Sequence, residues 1–328
     1  MKWLNKFFTT SQKKVIPEQV LSNVDGKIIE IGKGEILLFA ILRNESLRLA
    51  HFIAYYKSLG VDWFFVVDNN STDNSKEIIL NEPRAHLFFT EESYKNHWYW
   101  MEYLLEMYGK DHWCLVVDID ELFAYPNYES IKLPTMINFL ENSNYEAIRC
   151  FLLDMYSINE IVANRNNPLE ILNYFDKYYY ETDFTFQNKK THLPYIFKIF
   201  EGGMRERVFG KTNPPHILSK VPFFRYTSKS YLSQGMHAID NNVLADIQGV
   251  VFHTKFLSDF IDEVKEETLR GQHYGNAFYY KHYLEIIQKN ESMTYHNEDS
   301  IKYQDSKQLI ELDLMKTSEQ FESFCKKS

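Results

Sequence analysis

Asp118-Ile119-Asp120-Glu121 places three carboxylates within four residues, directly after the apolar run Trp113-Cys-Leu-Val-Val117. In an extended chain, alternation puts Asp118 and Asp120 on one side and Ile119 on the other. Two carboxylates on one side of a strand end can hold a hard divalent cation, which prefers oxygen ligands and completes its shell with substrate phosphates. Two more polar clusters follow apolar runs in the same manner. Arg43-Asn44-Glu45 comes after the run 36–41, and Asp68-Asn69-Asn70-Ser71-Thr72-Asp73 comes after Trp63-Phe-Phe-Val-Val67. One Asp-x-Asp is as readily a turn or helix cap as a metal site. Three acid-bearing strand ends in one chain favour chemistry, because ligands of open α/β sheets bind beyond the carboxyl ends of the strands.

The elements that must position these residues are legible from periodicity. Residues 36–41 form a continuous apolar run, as in a strand buried on both faces. Leu49, Phe52, Ile53, Tyr56 and Leu59 have helical spacing, with Gly60 placed to end the helix. Asn74 and Glu77 can form a capping box for a helix through Leu80. Trp98, Met101, Leu104, Leu105 and Tyr108 mark a helix closed by Gly109, and residues 147–153 form a further strand. The alternation predicts an α/β three-layer sandwich with a mostly parallel central sheet. Residues 154–250 read as less regular, residues 258–289 as helical with a break near Gly271–Gly275, and the remaining tail as polar and loosely packed. The expected organisation is an N-terminal extension over 1–34, a donor-binding half over 35–153, an acceptor and metal half over 154–257, and a helical region with tail over 258–328.

Composition narrows the function. The chain has 328 residues, 45% hydrophobic, with a net charge of −9, too apolar and too weakly charged for disorder. The acidic balance argues against bulk nucleic-acid binding. Only 12 glycines leave little material for glycine-rich phosphate loops. Cys114, Cys150 and Cys325 show no CxxC spacing and read as thiols in a reducing compartment. Residues 1–14 carry four lysines and no acids, with Trp3, Leu4, Phe7 and Phe8 at helical spacing. A frayed basic terminus is the first reading, and contact with an anionic membrane the second. Charge is uneven: residues 15–130 carry nine basic and nineteen acidic side chains, whereas residues 186–237 carry nine basic and two acidic.

The segments Ile41-Leu-Arg-Asn-Glu45, Val66-Val-Asp-Asn-Asn-Ser-Thr-Asp73 and Val116-Val-Asp-Ile-Asp-Glu-Leu-Phe123 together resemble a glycosyltransferase of the family 2-like group with the GT-A (Rossmann-like) fold. The bacterial branch that shares motifs with the family 92 glycosyltransferases is the best match. Val251-Phe-His-Thr-Lys-Phe256 and Arg270-Gly-Gln-His-Tyr274 also resemble that branch, so the likeness covers roughly residues 35–285. The resemblance implies Asn44 and Glu45 at the base and ribose of a nucleotide, Arg43 near its phosphates, Asp68 at the base or ribose, and Asp73 shaping that pocket. It further implies Asp118 at the ribose or metal, Asp120 as a ligand of Mn²⁺ or Mg²⁺, and His253 as a C-terminal metal ligand. A buried, hydrogen-bonded imidazole is the competing reading of His253.

The activity implied is metal-dependent hexosyl transfer from a nucleotide diphosphate-sugar, UDP-linked by resemblance, to a saccharide or lipid-linked acceptor. Surface polysaccharide or lipopolysaccharide assembly at the cytoplasmic face of the inner membrane is the expected setting. Lys255 and the basic residues Lys198, Arg205, Arg207, Lys211, Lys220 and Arg225 are candidates to face phosphate. An inverting enzyme needs a base at the acceptor hydroxyl. Asp154 is one candidate, against a turn-capping reading, and Glu121 is either another or a support for the neighbouring acids. Trp98, Trp100, Tyr156 and Tyr231 could stack on sugars, with Trp98 assigned to the core by helical spacing. Two rivals compete: a haloacid dehalogenase-type phosphatase, which lacks the expected small pair after its Asp-x-Asp here, and a non-catalytic carbohydrate-binding protein of the same fold.

Overall fold

The computed structural model describes residues 20–158, 174–187, 194–233, 235–290 and 293–327. The basic segment 1–14 lies outside them. In chain order the strands are β1 (Ser22–Asn23), β2 (Leu37–Leu42), β3 (Trp63–Asp68), β4 (Ala85–Phe89), β5 (Trp113–Val116), β6 (Glu121–Ala124), β7 (Ala147–Asp154), β8 (Tyr174–Phe175), β9 (Tyr179–Gln187), β10 (Pro194–Gly202), β11 (Ser219–Arg225), β12 (Tyr231–Ser233), β13 (Ala238–Asp240), β14 (Leu244–His253) and β15 (Ile301–Lys302). The helices are α1 (Ser46–Leu59), α2 (Ser75–Leu80), α3 (His97–Leu104), α4 (Leu133–Asn142), α5 (Gly203–Phe209), α6 (Phe260–Arg270), α7 (Tyr274–Lys289), α8 (Ser306–Glu311) and α9 (Glu319–Cys325).

Nine strands form one sheet in the order β1-β4-β3-β2-β5-β11-β7-β14-β6. β4, β3, β2 and β5 are mutually parallel, and β7 and β14 run the same way as these four. Only β1, β11 and β6 run the other way. The six aligned strands therefore all deliver their carboxyl ends to one edge. β2 shows how the sequence builds the layers: Leu38, Ala40 and Leu42 face one cluster with Leu49, Phe52 and Tyr56 of α1, while Leu37, Phe39 and Ile41 face another with Trp100, Met101 and Leu104 of α3. Strict alternation with both faces apolar makes the expected three-layer α/β sandwich.

Several expectations are corrected. The span read as irregular supplies β11 and most of β14, two interior strands, because β-rich segments interrupted by polar loops lack the long periodic runs that announce a strand. The tail packs firmly: Leu309, Leu314, Met315 and Phe321 are buried in the main core, with Phe321 edge-on to Phe139 at 4.9 Å. The helix beginning at His97 buries Trp100 fully, which removes it from sugar stacking, while Trp98 packs partly buried against the same core. Tyr156 is also core. The capping box does not form. Asn74 makes no side-chain cap, and the Asp73 carboxylate accepts from Ser75 N at 3.0 Å instead. Cys114 and Cys150 are buried free thiols, and no described helix is long and apolar enough to cross a membrane.

The sheet leaves no room at Gly249 in β14. A Cβ there would lie 2.5 Å from the Ala124 carbonyl oxygen of β6 and 2.9 Å from Cys150 Sγ of β7. Backbone on the neighbouring strand cannot give way cheaply. Gly249→Ala is expected to lower unfolding stability by about 1–3 kcal/mol, seen as a lower urea midpoint at unchanged slope.

Candidate active site

The polar clusters found in the sequence leave the sheet at the common carboxyl edge. Arg43-Asn44-Glu45 follows β2, Asp68 ends β3, Asp118 follows β5, Asp154 ends β7 and His253 ends β14. β5 and β6 are separated in the sheet by β11, β7 and β14, so residues 117–120 carry the chain across the strand ends between them. That crossing lays Asp118 and Asp120 along the edge, with Ile119 turned into the core. Thr254 ties it down: its amide and hydroxyl both donate to the Asp120 carbonyl, at 2.7 and 2.9 Å.

His253 stands between two carboxylates. Its Nε2 is 3.4 Å from Asp120 Oδ2, and its Nδ1 is 2.8 Å from Asp154 Oδ1. Asp154 is fully buried and also accepts from Arg205, Nε to Oδ2 at 2.8 Å and Nη2 to Oδ1 at 2.6 Å. Arg205 Nη2 also approaches His253 Nδ1 at 3.1 Å, but the shorter bond to Asp154 puts the proton on Nδ1. Nε2 of the ring is thus aimed at Asp120. Burial alone would raise Asp120, but His253, Lys255 and Arg48 outweigh it and hold the carboxyl far below its ordinary range. Burial is likewise overcome at Asp154, chiefly by Arg205 and then His253. His253 is raised despite burial, because Asp120 and Asp154 favour the imidazolium.

This geometry corrects the reading of Asp154 as an acceptor base. A carboxylate without solvent exposure, clamped by a bidentate guanidinium, has little affinity for a proton and no path to an acceptor. Glu121 is also removed from that role. It is 2% exposed, accepts from Lys220 Nζ at 2.6 Å, and takes the Asp118 amide at 2.8 Å. Lys220, itself fully buried, reaches Asp118 Oδ2 at 3.5 Å. Glu121 therefore holds the crossing in shape.

At the β2 and β3 ends the expected nucleotide contacts are woven into loop structure. Asn44 adopts a left-handed φ of 57°, and its Oδ1 accepts from Thr72 N at 2.8 Å. Asp68 is buried and accepts from Ser71 N at 2.9 Å. Asp73 accepts from Ser46 N at 2.9 Å and so joins the starts of α1 and α2. Arg43 pairs with Glu266 at 2.9 Å and donates to the carbonyls of Asn69 and Asn70. Glu45 meets Arg48, which also takes both oxygens of Asp259. Burial, with Asp120 and Glu263 adding to it against Arg48, pushes the Glu45 carboxyl up to about 8. Lys255 is bonded to Glu263 and, at 2.9 Å, to Tyr280 Oη.

Asp259, just before α6, and Glu263 and Glu266 on it were missed in the sequence, although they recur at helical spacing. Arg270 and Gln272 extend the same contact to Asn69 and to the Tyr94 amide. Of the basic island, Arg205, Arg207, Lys211 and Lys220 pair with Asp154, Asp176, Glu206 and Glu121. Lys198 and Arg225 make looser pairs with Asp183 and Glu141.

Among the described residues no three His, Cys, Asp or Glu side chains converge as a metal-holding group. Oδ2 of Asp120 and Nε2 of His253 are spaced as two neighbouring ligands of one ion with bonds of about 2.1 Å would be. Asp118, 32% exposed at the side chain, faces Lys220. The donor set fits a divalent cation that takes its remaining ligands from phosphate and water.

No family model matches the chain. Over 133 residues it is 27% identical to a glycosyltransferase family 92 protein of Ricinus communis, a match covering 36% of this chain and 22% of that protein. The chain thus matches under a quarter of that relative's length. Among solved structures, UDP-glucose pyrophosphorylase complexed with UDP-glucose aligns over 71% of this chain and 80% of that one, at 8% identity and a TM-score of 0.25, too low to bear on the fold.

The directions of the proton affinities fix a stability profile. Asp120 and Asp154 are depressed, so their contributions are complete above about pH 4 and fade as pH falls below it. His253 is raised, so its contribution is complete below about pH 6.5 and fades as pH rises through its folded value. Urea midpoints from pH 2 to 9 are expected to fall at the acid end. Arg205→Met should flatten that acid limb and destabilise the protein by about 3–5 kcal/mol at pH 7, because Asp154 is left buried with one partner fewer.

Proposed function

We propose that the chain is a GT-A-fold glycosyltransferase, family 2-like with motifs shared with family 92, that transfers a sugar from a UDP-sugar with the help of Mn²⁺ or Mg²⁺. The observation that carries this is the meeting of Asp120 and His253 at the carboxyl edge of the sheet, with His253 aligned from behind by Asp154 and Arg205. Similarity to a glycosyltransferase family 92 protein over 133 residues supports it. Asp120 and His253 would hold the ion, with Asp118 alongside. When bound, the ion supplies Lewis-acid neutralisation of the departing diphosphate.

The chain's own residues do the rest. Asp154 keeps the Nδ1 proton on His253 and so keeps Nε2 free to ligate. Lys220 and Glu121 fix the Asp118–Asp120 crossing. The turns after β2 and β3, built on Asn44, Asp68 and Asp73, shape the wall where base and ribose would lie, and Glu45 lies beside Asp120. Arg43 is positioned for phosphate once Glu266 releases it. The acceptor is a saccharide or lipid-linked saccharide, and surface polysaccharide or lipopolysaccharide assembly at the cytoplasmic face of the membrane suits such a transfer.

A thermal-shift panel of nucleotide sugars with and without Mn²⁺ tests the reading. A UDP-sugar is expected to stabilise the protein only with the metal present. Asp120→Asn should abolish both that shift and turnover, and unaltered binding and turnover in this variant would sink the metal assignment. Phosphate release from simple monoesters without nucleotide-sugar binding would favour a phosphatase. A second prediction separates ligand from support. Asp154→Asn should weaken the Mn²⁺ dependence of turnover by about 10–100-fold, and His253→Ala by more, measured as the Mn²⁺ concentration giving half-maximal rate.

A further inference from the structure

The turns after β2 and β3 bring three N–H donors together and fix their directions from behind. Arg43 Nη1 donates to the carbonyls of Asn69 and Asn70 at 3.0 and 2.5 Å, which commits one edge of the guanidinium to that loop and leaves the Nε and Nη2 edge facing out. Asn44 is held in the same manner. Its Oδ1 accepts from Thr72 N at 2.8 Å and its own amide donates to Ser71 Oγ at 3.0 Å, so the side-chain Nδ2 is turned outward. The donors that remain meet one carboxylate. Arg43 Nε and Nη2 lie 3.1 and 2.9 Å from Glu266 Oε1, and Asn44 Nδ2 lies 3.4 Å from Glu266 Oε2. A guanidinium edge beside an amide, both oriented by other bonds, makes a cup for an oxyanion, whether carboxylate or phosphate.

The cup is rigid and its occupant is not. Glu266 is 40% exposed, on a long side chain near the end of α6. The helix is held to the sheet without it, because Asp259 grips Arg48, and Glu263 binds Lys255, which also donates to Tyr280 Oη at 2.9 Å. Exposure of the cation rises along these pairs, from 4% at Arg48 through 13% at Lys255 to 23% at Arg43. Solvent screening weakens the attraction in the same order. Rotation of the Glu266 side chain into water therefore opens the cup with the backbone of α6 in place.

We propose that Arg43 and Asn44 form an oxyanion cup for the diphosphate of the donor, and that Glu266 is its built-in competitor, seated there until a diphosphate displaces it. This inference rests on the glycosyl-transfer reading above and adds the Asn44 side-chain amide to the phosphate contacts. Binding then exchanges one ion pair for another. Glu266 accordingly lowers the affinity of the site for its diphosphate and blunts the salt dependence of that affinity.

Calorimetric titration of the full chain with UDP in the presence of Mn²⁺, at low and at high salt, tests the assignment. Glu266→Gln is expected to bind UDP about two- to fivefold more tightly than wild type at low salt. The gain should vanish at high salt, because the variant forms an ion pair without breaking one. In an Arg43→Gln background the same substitution is expected to change nothing, which isolates the pair from the general field of the helix. Asp262→Asn removes an equal charge from the exposed side of α6, where Asp262 pairs with Lys265, and should leave the Kd unchanged. Uridine, without phosphates, should bind wild type and Glu266→Gln alike. Urea midpoints of each variant show that it folds. An unchanged or weaker Kd for UDP in Glu266→Gln, an equal gain in Asp262→Asn, a gain that survives without Arg43, or an equal gain for uridine overturns the proposal. Tighter binding of inorganic phosphate with none of UDP overturns the assignment of the cup to the donor. If wild type does not bind UDP with Mn²⁺, the glycosyltransferase reading fails and this one with it. UDP binding that ignores Glu266 overturns this one alone.

Discussion

The bond from His253 to the fully buried Asp154 is the constraint on which the site depends. A carboxylate without water is costly unless it is paired and fully hydrogen-bonded, and Asp154 is, by two guanidinium nitrogens, the imidazole and its own place at the end of β7. The pairing does more than neutralise a charge. β7 and β14 are parallel and in register at His253 and Asp154, so the bond joins two strand ends that alternation would otherwise leave to solvent. It also selects the tautomer that leaves Nε2 facing Asp120. Arg205 comes from α5, outside the sheet. With Asp120 on the β5–β6 crossing, the site is therefore assembled from four separate stretches of chain, and no stretch alone specifies it.

Much of the fold was legible because its signals are local. β2, β3, β5 and β7 are apolar runs, α1 has an unbroken 3.6-residue stripe, and Gly60 closes it with a φ of 103°. The reversed strand β11 was not legible. It gains its place by pairing with β5 and β7 simultaneously, and Lys220 within it is a buried cation that no hydropathy pattern would place in a central strand. Its burial is made tolerable by Glu121, 99 residues away. The site was legible in the same degree. Acids after apolar runs marked the carboxyl edge, while the partners of those acids, Arg205, Lys220 and the carboxylates of α6, lie far off in sequence. Their roles follow from which strand ends meet, and that is information only the topology holds.

The same contrast explains the basic island over 186–237. As a composition it suggested mostly solvated charges, with one or two facing phosphate. In the fold its buried members are bound to carboxylates: Arg205 to Asp154 at one end of the site and Lys220 to Glu121 and Asp118 at the other. The acidic excess of residues 15–130 and the basic excess of 186–237 are partly the two sides of one charge network drawn to the edge of the sheet. Local charge runs report on pairing partners as much as on ligands.

α6 adds a further consequence. Its acids reach Arg48 through Asp259, Lys255 through Glu263 and Arg43 through Glu266, which are the cations nearest the β2 and β14 ends. Glu266 and the Arg43 side chain are 40% and 23% exposed, so their attraction is screened by solvent and worth little. The Arg48–Asp259 bond differs, because the guanidinium is 4% exposed and both of its Nη groups are engaged. A diphosphate entering the site would compete easily with Glu266 for Arg43 and hardly at all with Asp259 for Arg48. The first pair is thus the exchangeable part of the helix contact and the second its anchor, and a donor could gain the Arg43 guanidinium without detaching α6 from the sheet.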